Sequence, residues 1–168
     1  ALPNDAGQWN NNGLVLGIYT GVKKSCDILS NLKHNNFLPY VLAAIHAKKQ
    51  KWNDAVMLNT GGRICDTTIA NIFLVKNEIV YTSSLEEGCI AGVMRQHIIQ
   101  QLTLNNIQVK ESKITLDDLM EADEVFLSNS IYNIRWVQVI GHKKYTNKVT
   151  QSTEDHTAEQ QSRMYSVC

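Results

Sequence analysis

The feature that most constrains this chain is a series of short apolar runs, each four to eight residues long and closed by a turn signal. Gly13 to Thr20 (GLVLGIYT), Ala55 to Asn59, Asn71 to Lys76, Glu78 to Thr82, Ile107 to Ile114, Glu124 to Leu127 and Ile134 to Ile140 all read as strands. Thr60-Gly61-Gly62-Arg63 and Lys76-Asn77-Glu78 supply turns between them. Three stretches break the pattern with helical spacing. Pro39 to Lys51 opens with Pro39 in its first turn and closes with Lys48, Lys49 and Lys51 at the negative end of the helix dipole. Its residues Val41, Leu42 and Ile45 form the expected apolar face. Gly92 to Leu104 repeats Val93, His97, Ile98, Gln101 and Leu102 on one side. Leu116 to Ala122 follows Thr115 as N-cap, with Asp117 and Asp118 in its first turn. Gly21 to Asn36 reads as a loop. A mixed α/β fold follows, mostly sheet with about three helices.

The 168 residues are 43% hydrophobic and 19% charged, enough to bury a core in one domain or one large lobe. Sixteen basic residues balance sixteen acidic ones, which argues against a protein built to neutralise nucleic acid. Lys48-Lys49-Lys51 and Lys143-Lys144 read as solvated clusters without aromatic interleaving. No apolar run is long enough to span a membrane. The start lacks a basic stretch followed by an apolar one, so a signal peptide is read as absent or removed. The missing initial Met reads as a processed or truncated product. The four cysteines (Cys26, Cys65, Cys89 and Cys168) form no C-x-x-C pair and read as reduced thiols of a cytoplasmic protein. His34, His46, His97, His142 and His156 lack metal-ligand spacing, so no metal is expected. His46 and His97 read as satisfied helix residues. Thr150 to Cys168 has almost no apolar periodicity and reads as a polar, weakly ordered tail or as sequence foreign to the domain.

Four places carry candidate chemistry. Lys33, in NLKHNNFL, sits among apolar and amide residues that strip its hydration. A lysine so placed forms a Schiff base with an aldehyde; taken alone it also reads as a solvated loop residue. Asp66, flanked by Ile64, Cys65 and Ile69, is expected to be half-buried and to need a cationic partner. A pyridinium nitrogen meets that need, while a turn aspartate capping backbone N–H groups is the plainer alternative. Gly92-Val93-Met94-Arg95 opens a helix, where N–H groups and the dipole favour a phosphate. Leu127-Ser128-Asn129-Ser130 ends a strand in hydroxyls that bind phosphate or cap a turn.

The order and spacing of Lys33-His34 through Leu38, Gly62 to Phe73, Gly92 to Arg95, and Ala122-Asp123-Glu124-Val125-Phe126 through Ser130 resemble the fold-type IV family of pyridoxal-phosphate enzymes. That family comprises branched-chain and D-amino-acid aminotransferases and 4-amino-4-deoxychorismate lyase. Lys33-His34 and Gly92-Val93-Met94-Arg95-Gln96 look most like the lyase branch, where Met replaces the aminotransferase Thr. The resemblance implies a barrel-like cofactor domain over residues 31–149, preceded by an interdomain strand and loop over 1–30 and followed by the tail at 150–168. An N-terminal domain that supplies a phosphate-binding arginine is expected to be missing. The resemblance further implies pyridoxal 5'-phosphate as cofactor, with Lys33 as Schiff-base lysine and proton shuttle and Asp66 facing the ring nitrogen. The N–H groups of Val93 and Met94, with the Ser130 hydroxyl, would hold the phosphate. Phe37 falls where some relatives carry a Tyr near the cofactor. Arg135, in Arg135-Trp136-Val137, stands on a segment that faces substrate in the family. Asp66 is one methylene shorter than the usual Glu. The activity implied is aminodeoxychorismate lyase, releasing pyruvate and 4-aminobenzoate. An aminotransferase or a non-catalytic cofactor-binding fragment is the alternative. A small-molecule substrate and a homodimer are implied as partners.

Overall fold

The computed structural model describes residues 10–154. Nine strands among them form one strongly curled mixed sheet: β1 (Leu14–Lys24), β2 (Asp54–Asn59), β3 (Ile64–Thr67), β4 (Asn71–Lys76), β5 (Ile79–Ser83), β6 (Val109–Ser112), β7 (Glu124–Asn129), β8 (Asn133–Ile140) and β9 (Lys143–Lys144). The spatial order is β3-β2-β1-β8-β7-β4-β5-β6, with β9 on β8. Three pairs are parallel, β1–β2, β1–β8 and β5–β6, and helices provide the crossovers for the first and the last. α1 (Leu38–Lys49) carries the chain from β1 to β2, and α2 (Val93–Leu104) carries it from β5 to β6. The third helix, α3 (Leu116–Glu121), precedes β7.

The curl brings the outer strands back toward each other. The Ile64 N–H at the start of β3 donates to the Ile114 carbonyl just past β6 at 2.9 Å, and the Ser83 hydroxyl donates to the Ile64 carbonyl at 2.8 Å. The result is a half-barrel. Its concave side is filled by Leu16, Val56, Leu58, Ile72, Leu74, Val125, Leu127 and Val137. Successive side chains in a strand alternate faces. The outer face of β4 and β7 therefore presents Phe73 and Phe126, stacked at 4.7 Å, to Met94, Ile98 and Leu102 of α2.

Most expected elements are present, with four differences. β1 runs on to Lys24, in what reads as loop, and lies mid-sheet between β2 and β8. β3 is a strand that the sequence reading leaves unassigned; all four of its residues are buried, so no alternation marks it. α1 turns its expected apolar face outward: Val41, Leu42 and Ile45 are exposed, and Ala43 and Ala47 are its buried residues. Small side chains let it lie close to Met57, Cys65 and Cys89. Finally, residues 148–154 form a helical turn where the tail is expected to begin. Buried Glu124 caps it, accepting from the Val149 and Thr150 N–H groups at 3.0 and 2.9 Å. The rest of the expected tail, with His156 and Cys168, lies outside the described residues. No helix among the described residues is long and apolar enough to cross a membrane.

Candidate active site

Asp66 is the centre of the site. It sits mid-β3 and is 2% exposed. Its Oδ2 accepts three hydrogen bonds: from Lys24 Nζ at 3.1 Å, the Tyr40 hydroxyl at 3.1 Å and the Ile90 N–H at 2.9 Å. Its Oδ1 accepts one, from Asn71 Nδ2 at 3.0 Å. Burial pushes the carboxyl pKa up, and the Lys24 ammonium, the Ile90 N–H and the Tyr40 hydroxyl pull against that rise. The expected half-buried carboxylate is thus fully buried, and a protein side chain supplies its cationic partner.

Asn71 links this carboxylate to the start of α2. Its amide donates to Asp66 and, at 2.8 Å, to the Ile90 carbonyl. A Cβ on Gly92 would lie 2.2 Å from Asn71 Oδ1, so the close approach of helix start and amide requires glycine here. No side chain caps α2, which leaves the N–H groups of its first turn without a side-chain partner. Ser128 lies directly across the ladder from Asn71, so the two side chains share the face that packs on α2. The Ser128 hydroxyl is buried and has no hydrogen-bond partner. An uncapped helix start beside an orphaned buried hydroxyl has the donors that a phosphate group takes.

Lys33 lies in the loop before α1. That loop is tied to the same hub by Asn31, whose amide donates to the Leu85 and Cys89 carbonyls at 2.8 and 2.7 Å. The Ala91 N–H returns a bond to the Asn31 carbonyl at 2.9 Å. Residues 89–92 therefore hold the Lys33 loop, Asp66 and the head of α2 together. Lys33 itself is exposed, not packed among apolar side chains as expected, because its neighbours Leu32 and Asn35 also face solvent. Phe37 is 37% exposed, its ring 6.4 Å from that of Tyr40.

Ser130 is exposed in the β7–β8 turn, two residues beyond Ser128. Asn129 Oδ1 braces that turn by accepting the Ile131 and Tyr132 N–H groups at 3.0 and 2.8 Å. Arg135 is placed apart. It pairs with Leu127, whose side chain fills the concave core, so Arg135 belongs to the opposite face from Ser128. There it stacks on Tyr132 at 3.9 Å and lines a cavity of about 160 Å³ with Asp54, Asn129 and Asn133, at whose wall Ser128 also lies. Sequence reasoning missed Lys24 and Tyr40. Lys24 lies early in what reads as a loop, and Tyr40 stands one helical turn after Phe37, the only hint that the two rings meet.

Comparison with known proteins fits this geometry. Residues 2–140 match the family model described as amino-transferase class IV. The chain belongs to that family. It is 36% identical over 126 residues to an aminodeoxychorismate lyase of Vibrio harveyi, covering 75% of this chain and 46% of the relative. A putative 4-amino-4-deoxychorismate lyase of Legionella pneumophila superposes with a TM-score of 0.80 at 28% identity, over 88% of this chain and 55% of that one. An aminotransferase of Brucella abortus bound to the co-factor PLP shares the fold, with a TM-score of 0.80 at 20% identity over 89% of this chain and 55% of its own. The class IV chain thus spans about half the length of the relatives it matches.

Proposed function

We propose that this class IV domain binds pyridoxal 5'-phosphate, and that the whole protein is an aminodeoxychorismate lyase releasing pyruvate and 4-aminobenzoate. The observation that carries the reading is the join between Asp66 and the uncapped head of α2 through Asn71. One buried carboxylate and one anion-ready helix start, fixed to each other, suit the two ends of a phosphorylated pyridine. When bound, that cofactor supplies an electron sink.

The chain's own residues then divide the work. Asp66 holds a proton on the ring nitrogen. The N–H groups of Val93 and Met94, with the Ser130 hydroxyl and the buried Ser128 hydroxyl, hold the phosphate. Lys33 provides the amine that anchors the cofactor's aldehyde carbon. The same Nζ, when free, would move a proton between substrate atoms as general acid and base. Phe37, at the pocket's outer edge, offers an apolar wall.

The choice of lyase rests on Lys33-His34 and on Met94 in Gly92-Val93-Met94-Arg95-Gln96, together with the similarity to the Vibrio lyase. The test is incubation of the full-length protein, loaded with pyridoxal phosphate, with aminodeoxychorismate. Release of pyruvate and 4-aminobenzoate without an added keto acid supports the lyase. Turnover only with an amino acid and a keto acid makes the protein an aminotransferase instead.

A further inference from the structure

We propose that Lys24 is a positioning residue of the cofactor site: its ammonium keeps the buried Asp66 charged and turned so that Oδ1 faces the ring nitrogen. This rests on the proposed function, in which Asp66 serves that nitrogen.

The geometry of the carboxylate argues for it. Three donors crowd Oδ2, whereas Oδ1 has one, from Asn71. An ionised carboxylate offers about four acceptor positions over its two oxygens. The remaining capacity is therefore on Oδ1, the oxygen that Asn71 ties to the head of α2. Lys24 is held for this role. It is 8% exposed, its backbone carbonyl accepts the Thr60 N–H at 2.9 Å, and its Nζ lies 5.1 Å from the centre of the Tyr40 ring. The titratable groups that face Asp66 are Lys24 from β1, Tyr40 from α1, Cys65 from β3 and Cys89 from the segment before α2. Burial pushes Tyr40 and both thiols up, the Cys89 thiol to about 12, so all three are neutral near pH 7. Lys24 is the cation that meets the carboxylate.

A second aspartate in the same sheet serves as control. Asp54 is similarly buried, and its Oδ1 accepts from the Ala55 N–H, the Thr68 N–H and the Thr68 hydroxyl. Its Oδ2 has no partner, and no cation pairs with it among the described residues. Without a cation a buried carboxyl holds its proton. A protonated Asp66 has a hydroxyl where a cationic ring nitrogen needs an acceptor.

The experiment reads ionisation directly. Protein labelled with carboxyl-¹³C aspartate is examined by infrared difference spectroscopy at neutral pH without cofactor, in the wild type, K24M, K24R and K24M/D66N. The expected result is a protonated-carboxyl band that appears in K24M, is absent from K24R and disappears in K24M/D66N, over a constant band from Asp54. Ring-¹⁵N-labelled pyridoxal phosphate is then added. Its nitrogen is expected to read as protonated in the wild type and K24R, and as unprotonated in K24M. A purely structural role for Lys24 leaves that shift unmoved. A protonated Asp66 in the wild type, or a K24M variant with both signals unchanged, overturns the proposal. If the wild type takes up no pyridoxal phosphate, the proposed function fails, while the carboxyl bands still decide whether Lys24 sets the charge of Asp66. Should K24M not fold, K24Q is read in its place, and the wild-type contrast between Asp66 and Asp54 stays decisive.

Discussion

Asp54 and Asp66 are two carboxyls of similar burial with different neighbours. Asp66 has Lys24; Asp54 has hydrogen-bond donors on one oxygen only. Burial raises the Asp54 pKa, and the bonds from the Thr68 hydroxyl and the Ala55 and Thr68 N–H groups only partly offset it. A carboxyl that holds its proton more tightly when folded adds stability below its unfolded pKa, about 3.9, and loses it as pH rises through the folded value. An amide in place of the Asp54 carboxyl keeps a carbonyl for the three donors and has no proton to lose. The D54N variant should therefore be the more stable above pH ~4, by a margin that widens as pH rises. Urea midpoints across that range check this; a constant margin contradicts it. Glu87 has the opposite sign. Burial tends to raise it, but hydrogen bonds from Arg63 and Asn59 hold it below the usual carboxylate range. Its contribution is present above the unfolded pKa and fades as pH falls through the folded one. E87Q should accordingly lose stability at neutral pH and match the wild type more closely in acid.

Helix starts are where local sequence and local structure agree most closely. Thr115 caps α3 as its position suggests: its hydroxyl accepts the Asp118 N–H at 3.1 Å, and the Asp118 carboxylate accepts the Thr115 N–H at 2.8 Å. T115A should cost about 1 kcal/mol in thermal or urea unfolding and leave cofactor labelling intact. Gly92 sits differently, because its lack of a Cβ serves a neighbour. G92A pushes Asn71 off Asp66 and the Ile90 carbonyl. A loss of about 1–3 kcal/mol is expected, together with weakened pyridoxal-phosphate uptake. Equal uptake in G92A would show that the Asn71 join is dispensable. Where the sequence misled, the cause was an interaction across distance. Lys23-Lys24 reads as loop because nothing nearby pairs with it; the partner of Lys24 is 42 residues away. Ile64-Cys65-Asp66-Thr67 hides a strand because both faces are covered. The apolar stripe of α1 has true helical period but the wrong face, since a close helix–sheet approach selected Ala43 and Ala47.

At the scale of the molecule, the half-barrel is a frame for one hub. Two strand–helix–strand crossovers set α1 and α2 on the convex face of the sheet, and residues 89–92 tie the Lys33 loop, Asp66 and the head of α2 to it. The mixed fold and the motif order were legible from sequence, because strands, turns and helix starts are local. The Lys24–Asp66–Tyr40 cluster was not, because β1, α1 and β3 meet only once β2 pairs with both strands. The position of Arg135 on the opposite face was likewise invisible until the β7–β8 register was known. The class IV resemblance located Lys33, and the frame shows what it is tethered to.

The central claim is that this frame presents Lys33 to the aldehyde of pyridoxal phosphate. The most direct measurement is the absorbance of the protein with added pyridoxal phosphate, followed by borohydride reduction and peptide mapping. The account predicts a new visible band and a pyridoxyl group on Lys33, both lost in K33A. No band, or a label on Lys24 or scattered over Lys48, Lys49 and other surface lysines, would contradict it.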